Sequence, residues 1–107
     1  MTNYEAISAT LYPYDVEPNL IHKGCVDYGL RSDDEYTLET KRDVTLIVIS
    51  ILRGLLVLNS ESDSGYSLSY SVEGLKKRIS ALAKENGMTD IAEEFTDAPS
   101  VEFLDIW

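Results

Sequence analysis

The sequence predicts a mainly α-helical protein: a small bundle of four to five helices around a long central apolar helix, with a short β-arm or hairpin between the third and fourth. Three observations lead there. Lys41 to Leu58 is an 18-residue, largely apolar stretch without proline, too long for a strand, which usually stops at roughly 4–8 residues. The segments around it carry start and stop signals of further helices. Between the third and fourth of these, Tyr66-Ser67-Leu68-Ser69-Tyr70 alternates large and small residues, as an edge strand or extended arm does.

At the N-terminus, Thr2-Asn3-Tyr4-Glu5 has the form of a capping box, in which threonine and glutamate each satisfy a free backbone N–H of the other. Tyr4, Ile7 and Leu11 follow at helical spacing, and Pro13 ends this first helix. Pro18 suits the first position of a second helix, lined on one side by Leu20, Ile21, Gly24, Cys25 and Tyr28 and stopped at Gly29. Residues 31–40 form a polar connector holding two candidate caps for the central helix, Ser32 and Thr37.

On a helical wheel the central run puts Val44, Ile47, Val48, Ile51, Leu52, Leu55 and Leu58 on one broad face. Leu46, Ile49 and Val57 fall on the other side, among Thr45, Ser50, Arg53 and Gly54. A helix apolar nearly all round needs cover nearly all round, and in a small chain part of that cover is expected from another copy. After the loop 59–65, Ser71 caps a helix striped by Val72, Leu75, Ile79, Leu82 and Ala83 and ended by Asn86-Gly87. Its outer side carries Lys76, Lys77, Arg78 and Lys84. Thr89 is read as the cap of a short helix through Phe95, with Ile91, Ala92 and Phe95 inward; Pro99 breaks it. Residues 96–107 then form an acidic tail ending in Trp107, within one domain spanning 1–107.

With 107 residues and 44% hydrophobic content, the chain has room for one modest core. A net charge of −10 repels phosphate backbones and anionic lipid, which disfavours binding either through a basic face. The single Cys25 excludes an internal disulfide and fits a reducing compartment. No secretion signal is evident, and Arg53 interrupts an apolar run shorter than the roughly 20 residues a bilayer needs. These features predict a soluble protein made inside the cell.

Little in the sequence suits catalytic chemistry. His22 and Cys25 share a helical face and could pair, yet a small core cysteine beside a surface histidine explains both, and two ligands do not close a zinc site. The loop 60–65 has the outline of a calcium loop, but Ser71 stands where the bidentate glutamate belongs. No phosphate loop or nucleophile elbow occurs, so neither catalysis, cofactor nor metal is expected. Tyrosine stands out instead, and Tyr66 and Tyr70 beside a serine-rich loop suit an interface.

Two short helices, a long apolar helix, a Ser/Gly loop running into Gly65-x-Ser67-x-Ser69-Tyr70, then a basic amphipathic helix ending in Asn-Gly: this layout resembles the head–tail connector (adaptor) proteins of long-tailed bacteriophages and prophages. The resemblance covers roughly residues 3–95, most suggestively 60–87, and does not extend to the acidic tail. It implies a non-enzymatic ring between portal and tail at the head–tail junction of a virion, assembled from copies made in the bacterial cytoplasm. The partners implied are the chain itself and the portal and tail-completion proteins. Leu46, Ile49 and Val57 would pack on a neighbour, and the arm with Gly65, Tyr66, Leu68 and Tyr70 would reach the portal or the next copy. Lys76, Lys77, Arg78 and Lys84 would face the acidic stretch 90–105 of that copy. Trp107 is carried as a further contact residue. The competing reading is a small acidic regulator or inhibitor that occupies a basic partner or mimics nucleic acid.

Overall fold

The computed structural model describes residues 1–61 and 71–94, and the side chains of all but 59–61 among these. Among these described residues there are five helices: α1 (Asn3–Leu11), α2 (Pro18–Asp27), α3 (Lys41–Glu61), α4 (Val72–Glu85) and α5 (Thr89–Glu94). α3 packs against α1, α2 and α4; α1 also meets α2, and α4 carries α5. Among the described residues there is no strand, only an isolated antiparallel bridge between Thr2 and Glu35. The arm read at Tyr66–Tyr70 lies outside the described residues, as do Gly65, Phe95 and the tail to Trp107.

The helix ends follow local chemistry. Thr2 Oγ1 accepts from the Glu5 N–H at 3.1 Å and the Thr2 N–H donates to Glu5 Oε1 at 2.8 Å, completing the capping box. Ser71 Oγ accepts from the Gly74 N–H at 3.1 Å at the start of α4. α2 and α4 end in the same paired arrangement. Leu30 N–H donates to Cys25 O (2.7 Å) and Gly29 N–H to Val26 O (3.0 Å); Met88 N–H donates to Ala83 O (2.8 Å) and Gly87 N–H to Lys84 O (3.2 Å). Both motifs need a left-handed residue, and Gly29 and Gly87 supply it at φ 73° and 72°. Thr89 is itself the first helical residue, because Met88 O accepts the first helical bond, from Ala92 N–H.

Neither Ser32 nor Thr37 caps α3. The helix begins after Thr40, whose carbonyl accepts from Val44 N–H at 2.9 Å. The connector serves α1 instead: Asn3 and Tyr4, whose N–H groups have no partner inside their own helix, donate to Asp34 O (2.8 Å) and Ser32 O (2.9 Å). Asn3 is buried and spends its side chain on the same seam, donating from Nδ2 to Arg31 O at 2.9 Å, with Thr40 Oγ1 3.3 Å from its Oδ1. Tyr36 N–H donates to Met1 O at 2.8 Å and completes it.

The core gathers Ile7 and Leu11 of α1, Ile21 and Cys25 of α2, Val44, Ile47, Val48, Ile49 and Leu52 of α3, and Leu75, Ile79, Leu82 and Ala83 of α4, closed by Met88 and Ala92. Ile49, expected at an interface with another copy, is 2% exposed and belongs to this core. Leu46 is half-buried against it. With three helices packed around α3, Thr45 and Ile49 of its second side are buried and Leu46 and Arg53 half-buried, while Ser50, Gly54 and Val57 remain exposed.

Candidate functional site

Among the described residues, part of the apolar surface left uncovered lies at one end of α3. With a helical rise of about 1.5 Å per residue, the 10 residues of α2 run for about 15 Å beside the 21 of α3, which run for about 31 Å. The helices approach closely at Gly24, where an added Cβ would lie 2.6 Å from Ile47 Cγ2. Beyond that contact α3 outruns its cover, and Val57 and Leu58 on its last turns are 53% and 56% exposed. With Leu20 of α2, 46% exposed, they rim a groove of about 520 Å³ floored by Ile47, Ile51, Gly54 and Leu55. Tyr28 and the Lys23–Asp27 ion pair (2.7 Å) form its α2 wall.

A smaller hollow of about 220 Å³ lies beside it, lined by Leu46, Ile49, Arg53 and Ile91 and sharing Tyr28 and Ser50 with the groove. Here Arg53 Nη2 donates to Glu94 Oε1 at 2.6 Å, tying the last described residue of α5 to α3. The two hollows form one apolar surface with an ion pair at one side.

The predicted contact residues divide. Val57 lies on this surface, Leu46 lines its smaller hollow, and Ile49 touches that hollow from the core. Gly65, Tyr66, Leu68, Tyr70 and Trp107 fall outside the described residues. Lys77 and Lys84 are exposed, and Lys76 is half-buried, 4.0 Å from Glu73. Arg78 departs from the expected outer row: its Nη2 donates to Thr10 O at 2.8 Å, satisfying a carbonyl near the C-terminal end of α1. An arginine reaching back across the bundle is a tie between α4 and α1, not a free partner contact. Leu20, Tyr28 and Leu58 were missed because helical spacing assigns all three to inward faces, whereas they are 46%, 38% and 56% exposed.

His22 and Cys25 do not pair. Cys25 is buried, and loss of solvent pushes its thiol pKa above the ordinary value. His22 is exposed, with Nδ1 2.9 Å from Ser32 Oγ and its ring 5.0 Å from that of Tyr4. Among the described residues no three His, Cys, Asp or Glu side chains are grouped to hold a metal, and no helix is long and apolar enough to cross a membrane.

The described residues thus form a small helical bundle with an apolar groove between α2 and α3. It belongs to DUF6706, a family of unknown function whose profile matches residues 1–107. No curated protein and no solved structure matches it.

Proposed function

We propose that this chain is a non-enzymatic assembly subunit, a head–tail connector of a phage or prophage that forms a ring between portal and tail. The observation that carries the reading is the exposed apolar end of α3. Val57 and Leu58 stand open beside Leu20 on a chain otherwise charged enough to stay dispersed, and such patches mark protein contacts. In this reading α3 is the central apolar helix, and the segment 59–70, with Gly65, Tyr66, Leu68 and Tyr70, supplies the arm to the portal or the next copy. Lys76, Lys77 and Lys84 meet the acidic stretch 90–105 of that copy, a head-to-tail contact of the kind that closes rings. The surplus of negative charge, 19 acids against 9 bases, would let DNA pass an inner wall without sticking.

The test is co-assembly with the portal and tail proteins of the same phage or prophage, read by electron microscopy and light scattering. Rings on portal addition, lost in Val57→Glu and Leu58→Glu, support it; a strict monomer that ignores the portal removes it. The inward turn of Arg78 takes one base off the outer face of α4 and so favours the second reading, an acidic inhibitor of a basic partner. Recovery of a DNA-binding enzyme in a pull-down, without rings, would put that reading first.

A further inference from the structure

We infer that two copies of this chain pair about a two-fold axis at Gly54, each laying its α3 into the α2–α3 groove of the other. The inference concerns the free chain and does not rest on the connector reading, whose head-to-tail ring contact is of a different kind. Three observations carry it.

The first is a strip of open surface along α3. Ser50, Gly54, Val57 and Leu58 are all exposed, line the groove, and by their spacing share one face of the helix. Gly54 sits in the interior of α3, where glycine weakens a helix, and its added Cβ would meet nothing within 4 Å. At Gly24 the chain uses a glycine to bring α2 close to Ile47; Gly54 offers the same close approach to a helix from outside. The second is size. In an antiparallel pair of α3 helices centred on Gly54, Leu58 of one copy lies opposite Ser50 of the other, and Val57 opposite Ile51 of the groove floor. Bulk meets a gap at the first position, and apolar surface meets apolar surface at the second. A parallel pair would instead set leucine against leucine and leave serine against serine. Leu20 and Tyr28, 46% and 38% exposed, flank the incoming helix, so that α2 and α3 of each copy build a four-helix arrangement.

The third is charge. The chain carries a net charge of −10, which opposes association of copies wherever the excess of acid is spread. Among the described residues, the charged side chains lining the groove are Lys23 and Asp27, one base and one acid joined at 2.7 Å. Arg53 and Glu94 beside it are joined in the same way at 2.6 Å. The lining therefore has no excess of either sign. It presents no like-charge barrier to a second copy, whereas a basic partner would find its one acid already matched.

From Ser50 to Leu58 the strip is about 12 Å long, so the contact is small and the dimer is expected with a Kd of roughly 10–100 μM. Sedimentation equilibrium of the full chain from about 5 μM to about 1 mM should show the mass rise from monomer to dimer and stop there. Gly54→Leu fills the axis and is expected to hold the chain monomeric throughout. At low concentration its far-UV circular dichroism should be unchanged and its Tm no lower, since leucine is the better helix former. Leu58→Glu is expected to lose the dimer as well, while Leu38→Glu, at a position 87% exposed and outside the groove lining, adds the same charge and keeps it. A monomer at every concentration overturns the inference and leaves the groove to a helix of a different protein. A dimer that survives both Gly54→Leu and Leu58→Glu, or growth past the dimer, overturns it too. A monomeric chain that still forms rings with the portal overturns this inference alone and leaves the connector reading standing.

Discussion

Replacing Gly24 by alanine tests the packing that sets the groove. The added Cβ would lie 2.6 Å from Ile47 Cγ2, against an ordinary carbon–carbon separation of about 3.5–4.0 Å, so one side must yield by about 1 Å. Ile47 has little freedom to do so: it is fully buried, and its β-branched side chain is stiff at χ1 on a helix. Forcing a methyl into a packed core costs about 1–3 kcal/mol, while alanine gains up to ~1 kcal/mol of helix propensity over glycine. The net expectation is a loss of about 0–2 kcal/mol. Gly54 provides the matched control, being in the interior of α3 with nothing within 4 Å of an added Cβ. There only the propensity term acts, and Gly54→Ala should stabilise by roughly 0.5–1 kcal/mol. Urea denaturation followed by far-UV circular dichroism compares the two, and thermal melts should separate them by about 4–8 °C for each kcal/mol. If Gly24→Ala proves as stable as Gly54→Ala, the close approach of α2 to α3 is wrong.

Ile49→Ala should cost about 2–5 kcal/mol independent of protein concentration, whereas Val57→Ala should change the stability of the free chain by at most roughly 0.5 kcal/mol; equal effects in chemical denaturation would contradict their assigned burial. Arg78→Ala removes the 2.8 Å bond to Thr10 O and should destabilise by about 1.5–3 kcal/mol, less if water replaces the donor, and Arg78→Lys should restore only part of it. The Cys25 thiol, raised by burial, should react with a disulfide reagent at the rate of local opening, not at that of a free thiol. Because its folded pKa lies above the unfolded one, its contribution to stability is fully present below the ordinary thiol pKa. That contribution is lost as pH rises through the raised value; Cys25→Ala should flatten this alkaline limb of a pH–stability curve.

Much of the helix punctuation was legible because it is decided locally. Thr2 with Glu5, Ser71, Gly29 and Gly87 act within a few residues of where they stand, and each is found in the role its chemistry predicts. The start of α3 was not legible: Ser32 has the credentials of a cap, but its carbonyl is taken by α1, a contact between residues 28 apart in the chain. Ile49 was misplaced for a related reason. A helical wheel says which residues share a face but not how many neighbours surround the helix, and here three do. The groove was invisible for the opposite reason, since Leu20 and Leu58 sit at inward spacing and yet stand open. Arg78 looked like surface charge until the end of α1 came within its reach.

The seam formed by Met1, Asn3 and residues 31–36 has a practical corollary. One buried amide, two main-chain donors and the Met1 carbonyl clasp the beginning of α1 to a strip of chain that also leads into α3. Anything that pulls the first three residues away, such as an N-terminal fusion under tension or trimming by a protease, would free the connector and the entry to α3 together. Tags and immobilisation chemistry are therefore better placed elsewhere on the chain.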